Sequence, residues 1–142
     1  MTGITNKFSA GVVVMMALMA LMANAYAGNA CPTVGAIQQT AMKDGGFVYT
    51  AAAGKGLQWA GENPVAAKED LKAVAFEEAY VVNAKNFVAC DYVGPKREGV
   101  RMTLKSADAV KPVGAAWTNQ TQADGSVLPR CAGVAPEQCT FE

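Results

Sequence analysis

A single antiparallel β domain pinned by two disulfides is the fold class this sequence predicts, and three observations carry it. Val88, Cys90 and Tyr92 alternate with Ala89 and Asp91, and Val100, Met102 and Leu104 alternate with Arg101, Thr103 and Lys105, which is the period of half-buried strands. Turn chemistry recurs between short apolar runs, as at Asp44-Gly45-Gly46 and Gly94-Pro95. Four cysteines, an even number, stand at 31, 90, 131 and 139.

The first segment is read apart from the fold. Lys7 is followed by an apolar run from Ala10 to Ala23 and then by Asn24-Ala25-Tyr26-Ala27. A basic start, an apolar stretch and a small-x-small end are the three parts of a secretory signal peptide. The run is too short to span a bilayer, which takes about 20 apolar residues. Residues 1–27 are therefore expected to be a signal peptide cut near Ala27, touching the membrane only in transit. Residues 28–142 are expected to be one exported domain, in the periplasm or outside the cell, and the Met- and Ala-rich leader leans toward a bacterium.

Strands are expected near 36–42 and 47–53, joined at Lys43-Asp44-Gly45-Gly46 because tight hairpins need the positive φ angles glycine adopts cheaply. Gly54-Lys55-Gly56 makes a second reversal. It is not a phosphate loop, since Gly56 follows Lys55 where that motif needs Ser or Thr. Leu57 and Trp59 then fall on one face.

Residues 63–82 admit two readings. Asn63-Pro64 has the form of a helix cap and first turn, and Leu71, Val74 and Ala75 have helical spacing. Val74, Phe76, Tyr80 and Val82 instead fit a strand, broken only at Glu78. A short helical turn near 65–71 and a strand near 73–82 are expected. The alternative is an α+β fold with a helix near 64–80. After the hairpin at Val88–Leu104, a polar loop is expected at Thr118–Ser126 and a terminal strand at Thr140-Phe141.

Four cysteines allow three pairings, and spacing alone does not choose. Gly133 and Pro136 favour a local Cys131–Cys139 loop, which leaves Cys31 for Cys90. Structural zinc sites favour Cys-x-x-Cys pairs, which are absent. Chain-entropy arguments give about 2.6 kcal/mol for the short loop and about 4.3 kcal/mol for the long one.

Composition narrows the chemistry. The chain has no histidine, which removes Ser-His-Asp triads, Cys-His pairs and histidine metal sites. Its 12 basic and 12 acidic side chains balance, with no basic block to mark a nucleic-acid surface. Glu69-Asp70 and Glu77-Glu78 are the carboxylate pairs that a glycan-acting enzyme would need, but adjacent residues on a strand point to opposite faces. No cofactor motif, metal set or catalytic residue is expected. Among the aromatic residues, most of which should be core, Trp59, Tyr80 and Trp117 are the candidates for an interaction surface. Asn119-Gln120-Thr121 matches a glycosylation sequon, relevant only to a eukaryotic secretory route.

Laid end to end, Cys31-Pro32, Ile37, Tyr49-Thr50-Ala51, Trp59, Phe76, Ala79, Cys90-Asp91-Tyr92 and Cys139-Thr140-Phe141 resemble a family of small exported bacterial proteins described only as a domain of unknown function (3757 type). The resemblance implies a compact, disulfide-bonded, mainly β domain, and brings no activity or catalytic residues. The expected role is a non-catalytic binding or interaction module whose partner is an unknown protein or envelope component. The rival roles are an inhibitor of a secreted lysozyme or protease, braced by the Cys131–Cys139 loop, and a carboxylate-dependent enzyme acting on glycan.

Overall fold

The computed structural model describes residues 30–142; the expected signal peptide at 1–27 lies outside the described residues. Ten strands form in chain order: β1 (Gln38–Ala41), β2 (Phe47–Ala52), β3 (Gln58–Asn63), β4 (Ala75–Val82), β5 (Phe87–Val93), β6 (Gly99–Lys105), β7 (Pro112–Val113), β8 (Trp117–Thr121), β9 (Val127–Ala132) and β10 (Thr140–Phe141). One short helix, α1 (Asp70–Ala73), precedes β4. Eight strands make one antiparallel sheet in the order β1-β2-β3-β6-β5-β4-β9-β8, and β7 and β10 pair separately.

One face of the sheet is the core. Tyr49, Trp59, Met102, Val88, Cys90, Tyr92, Val81 and Cys131 are fully buried there. Beside them lie Ile37, Ala66, Val74, Val110, Cys139 and Phe141, contributed by the segments before, between and after the sheet strands. Phe141 of β10 meets Trp59 edge-on at 6.0 Å, so the small sheet closes over the large one. Both disulfides belong to this core. Cys31–Cys90 ties the start of the described domain to the middle of β5, and Cys131–Cys139 ties β9 to the approach of β10. The Tyr92 hydroxyl adds a hydrogen bond to the Pro32 carbonyl, beside the first disulfide. Tyr49 is equally buried, but its hydroxyl has no hydrogen-bond partner among the described residues.

Close backbone approach explains one glycine. At Gly61, a Cβ would sit 2.0 Å from the Arg101 carbonyl oxygen, so only glycine lets β3 lie against β6. The β1–β2 turn forms as expected, with Gly45 and Gly46 both at positive φ.

Several expectations need correction. No helix starts at Pro64: the Asn63 carboxamide oxygen accepts from the Val65 N–H and makes a turn, and the helical segment of this stretch comes later, at Asp70–Ala73. The alternative long helix at 64–80 is replaced by β4, because Ala75–Val82 pairs with β5 along its length. Within β4 the register shifts between Phe76 and Glu78, so that Glu77 is an extra residue. Phe76 therefore faces the core with Ala79 and Val81, while Tyr80 and Val82, expected on the face of Phe76, turn to the opposite side.

The polar stretch Thr118–Ser126 is a turn only in its second half, from Gln122 to Ser126, and its first half is not a loop. That half forms β8, which hairpins onto β9 with Asn119 opposite Pro129. Being an edge strand with its polar side chains exposed, it shows no hydrophobic alternation to read. Leu57 also leaves the face expected of it: it ends the Gly54-Lys55-Gly56 turn, 47% exposed, while Trp59 is 1% exposed.

Candidate functional site

The second face of the sheet carries the polar and charged side chains of β3, β4, β5, β6 and β9. Their order follows from the register. Asp91 stands opposite Arg101 on one side and Glu78 on the other, and Tyr80 stands opposite Ala89 and Arg130. Reading across the strands gives Arg101, Asp91, Glu78 and then Arg130 one step along, with charges that run plus, minus, minus, plus.

Both carboxylates are held by their outer neighbours. Arg101 grips Asp91 with two parallel bonds, Nε to Oδ1 at 2.6 Å and Nη2 to Oδ2 at 2.7 Å. Arg130 Nε donates to Glu78 Oε2 at 2.6 Å, and the Tyr80 hydroxyl donates to Glu78 Oε1 at 2.7 Å. The carboxylates are mostly covered, at 16% exposure each, while the Arg101 side chain is 63% exposed. Burial, then the bond to Glu78, raises the Tyr80 phenol above its ordinary value, so it remains a neutral donor at physiological pH. The Asp91 carboxylate raises the Arg101 guanidinium, and Glu78 does the same for Arg130.

A hollow of about 300 Å³ opens beside this row. Ala89, buried on this face, forms its floor, and Tyr80, Phe87, Val82 and Leu128 give it apolar walls. Glu78, Arg101 and Gln122 add polar edges, and the Gln122 Nε2 is buried without a hydrogen-bond partner among the described residues. A second depression of about 280 Å³ lies along the other flank of the Asp91–Arg101 pair, bounded by Glu62 and Asn63.

Two sequence features make the hollow. The Glu77 bulge turns Tyr80 and Val82 onto this face. Pro129 then separates β9 from β4. The pairing Ala79–Cys131 and Tyr80–Arg130 would next set Val81 against Pro129, which has no N–H to give, and the ladder stops there. Beyond that point Leu128 and Gln122 stand off from Val82 and Phe87, with the hollow between them.

Of the expected interaction residues, Tyr80 lies at this site. Trp59 does not: at 1% exposure it is core, because it points from β3 to the apolar face. Trp117 is half-buried at the start of β8, its indole N–H donating to the Thr140 carbonyl at 2.7 Å, on the side away from the hollow.

The carboxylate pairs are split as well. The Asp70 carboxylate accepts from the Ala67 N–H and fixes the turn before α1. Glu77 is exposed at the bulge, and Glu78 finds its acidic neighbour not in Glu77 but in Asp91 of the next strand. The Lys96–Arg97 pair lies in an exposed turn between β5 and β6. Among the described residues no cluster of three or more acidic or cysteine side chains is placed to hold a metal.

Asp91, Arg101 and Arg130 went unnominated by sequence reasoning, although the first two are visible as the polar half of the hairpin alternation. Arg130 had no such signal, since Pro129 hides its strand.

No curated protein and no solved structure matches the chain. A family model does match, over residues 25–142 and so over the whole of the described domain, and the chain belongs to the family it represents, described as a protein of unknown function (DUF3757).

Proposed function

We propose that this chain is a non-catalytic binding module, acting in the periplasm or extracellular space, which contacts a protein or envelope component through the polar face around Tyr80. The observation that carries this reading is the hollow over Ala89: an apolar floor and walls, a fixed Tyr80, an exposed guanidinium at Arg101 and a Gln122 amide N–H unpartnered among the described residues. Apolar pockets with a few placed polar groups are the usual form of a recognition site. The two internal disulfides suit an oxidising compartment.

A photo-crosslinking group placed at Leu128, on the rim of the hollow, tests the reading in the native producer. One partner species should be trapped, and trapping should fall sharply when Tyr80→Ala or Arg101→Glu is added, while Lys72→Glu leaves it intact. Trapping that ignores both changes, or a turnover activity abolished by Glu78→Gln, would overturn the reading.

A second reading, inhibition of a secreted lysozyme or protease, has its own support. The Cys131–Cys139 loop is braced by its disulfide and by the Ala135 N–H donating to Gln138 Oε1, and it exposes Glu137. A rigid loop binds at low ordering cost. If this holds, the protein slows at least one enzyme of a lysozyme and protease panel, and Glu137→Lys weakens the effect. A panel without any slowed member removes it.

A further inference from the structure

Strand β8 is an edge of the large sheet, paired with β9 on one side and with no other strand among the described residues. Its backbone polarity can be read from the turn that follows it. Gln122 donates its N–H to the Ser126 carbonyl at 2.7 Å, so that pair is a hydrogen-bonded one. Counting back in twos, Gln120 and Thr118 also turn their backbone groups toward β9, and Trp117, Asn119 and Thr121 turn theirs outward. The outward set is symmetric about Asn119.

Sheet edges are ordinarily guarded by proline, by charge, by a bulge or by cover. The other edge, β1, is four residues long, and Gln39 Nε2 reaches from it to the Lys68 carbonyl at 2.9 Å. Strand β8 has no proline, no bulge in its pairing and no charged side chain along Trp117-Thr118-Asn119-Gln120-Thr121. That last absence bears on the identity of the partner. A side chain on a two-fold axis meets its own copy, so any charge there would repel itself, whereas Asn119 offers an amide that both donates and accepts.

We propose that β8 pairs antiparallel with β8 of a second copy of this chain, in the register that sets Asn119 against Asn119 and Trp117 against Thr121. The outward N–H and C=O groups of all three residues on each strand are then satisfied, and the two eight-stranded sheets become continuous. The two-fold axis runs perpendicular to the sheet, so the polar faces of both copies look the same way. The pairing stands independently of the binding reading; where both hold, the two hollows act as a bivalent surface.

Sedimentation of the oxidised protein from about 10 μM to about 1 mM tests this, comparing wild type with Asn119→Pro and Asn119→Lys. Asn119→Pro removes an N–H that points away from β9 and leaves the hairpin ladder whole, while Asn119→Lys sets two like charges on the axis. Wild type should form a dimer whose share grows with concentration, and each variant should raise the midpoint by about ten-fold or more. Exchange of the Asn119 amide should slow with concentration in wild type alone. A wild type that stays monomeric throughout, or variants that associate as wild type does, would overturn the proposal. If Asn119→Pro loses its thermal transition, Asn119→Lys alone decides.

Discussion

Cys90 and Asp91 are neighbours in β5, yet one belongs to a face that holds the protein together and the other to a face that presents chemistry. On the core face, Cys90 bonds to Cys31 among fully buried apolar side chains. On the polar face, Asp91 is gripped by an arginine whose side chain is 63% exposed. Strand alternation delivers both sets at once. Under the proposed function, stability and recognition should be alterable separately, since the side chains of one face do not pack against those of the other.

The sharpest way to break that separation is from the core. Trp59→Ala should cost about 3–5 kcal/mol, the range for losing a large buried aromatic, and a urea titration reads it as an earlier midpoint. Removing Cys31–Cys90 by a paired change to serine should cost about 4.3 kcal/mol, against about 2.6 kcal/mol for the Cys131–Cys139 pair. Equal losses would mean that loop length does not govern these bridges.

Alkali separates the faces by a different route. The phenols of Tyr92, Tyr49 and Tyr80 are all raised from the ordinary value of 10.0, each chiefly by burial; Glu137 adds to the effect at Tyr92 and Asp70 at Tyr49. A raised phenol means that the folded state holds a proton the unfolded state releases. The stability so gained is complete below pH about 10 and is lost as pH rises through the raised values. Phenolate absorbance should therefore appear together with unfolding above pH about 10, and Tyr92→Phe should make that loss less steep. Titration of all the tyrosines at their ordinary value, with no coupled unfolding, would refute it.

The smallest effect is expected on the polar face. Arg101→Ala should change stability by only about 0.2–1 kcal/mol, as exposed ion pairs do. Under the proposed function the same change weakens partner binding, and a folded variant that still binds as wild type would argue against the polar face. Deleting Glu77 sharpens the point further. It removes the extra residue of the bulge while leaving Phe76 inward and Tyr80 outward, so the fold and both faces should survive it, as a measured melting transition and retained binding would show.

Much of this was legible in the sequence wherever one strand face is buried. Val88 to Leu104 announced β5 and β6 because a half-buried hairpin must alternate, and Gly45-Gly46 announced the first turn because few other residues accept its angles. The Cys131–Cys139 pairing, which local turn chemistry favours, is the one that forms. Strands β8 and β9 were illegible for the opposite reason: β8 exposes most of its side chains and β9 contains a proline, so neither shows the pattern that burial imposes.

The sequence by itself determined the class of the molecule: a disulfide-bonded antiparallel β domain without histidine chemistry, with Tyr80 among its candidate contact residues. Only the tertiary structure decided which face Tyr80 looks from, and that Glu78 joins Asp91 rather than Glu77. One bulge reverses the phase of every residue after it, and one proline ends a ladder whose partner strand lies some fifty residues away, as the Glu78–Arg130 separation of 52 shows. Such decisions rest on which strands become neighbours, and local alternation, having a period of two, holds no record of that.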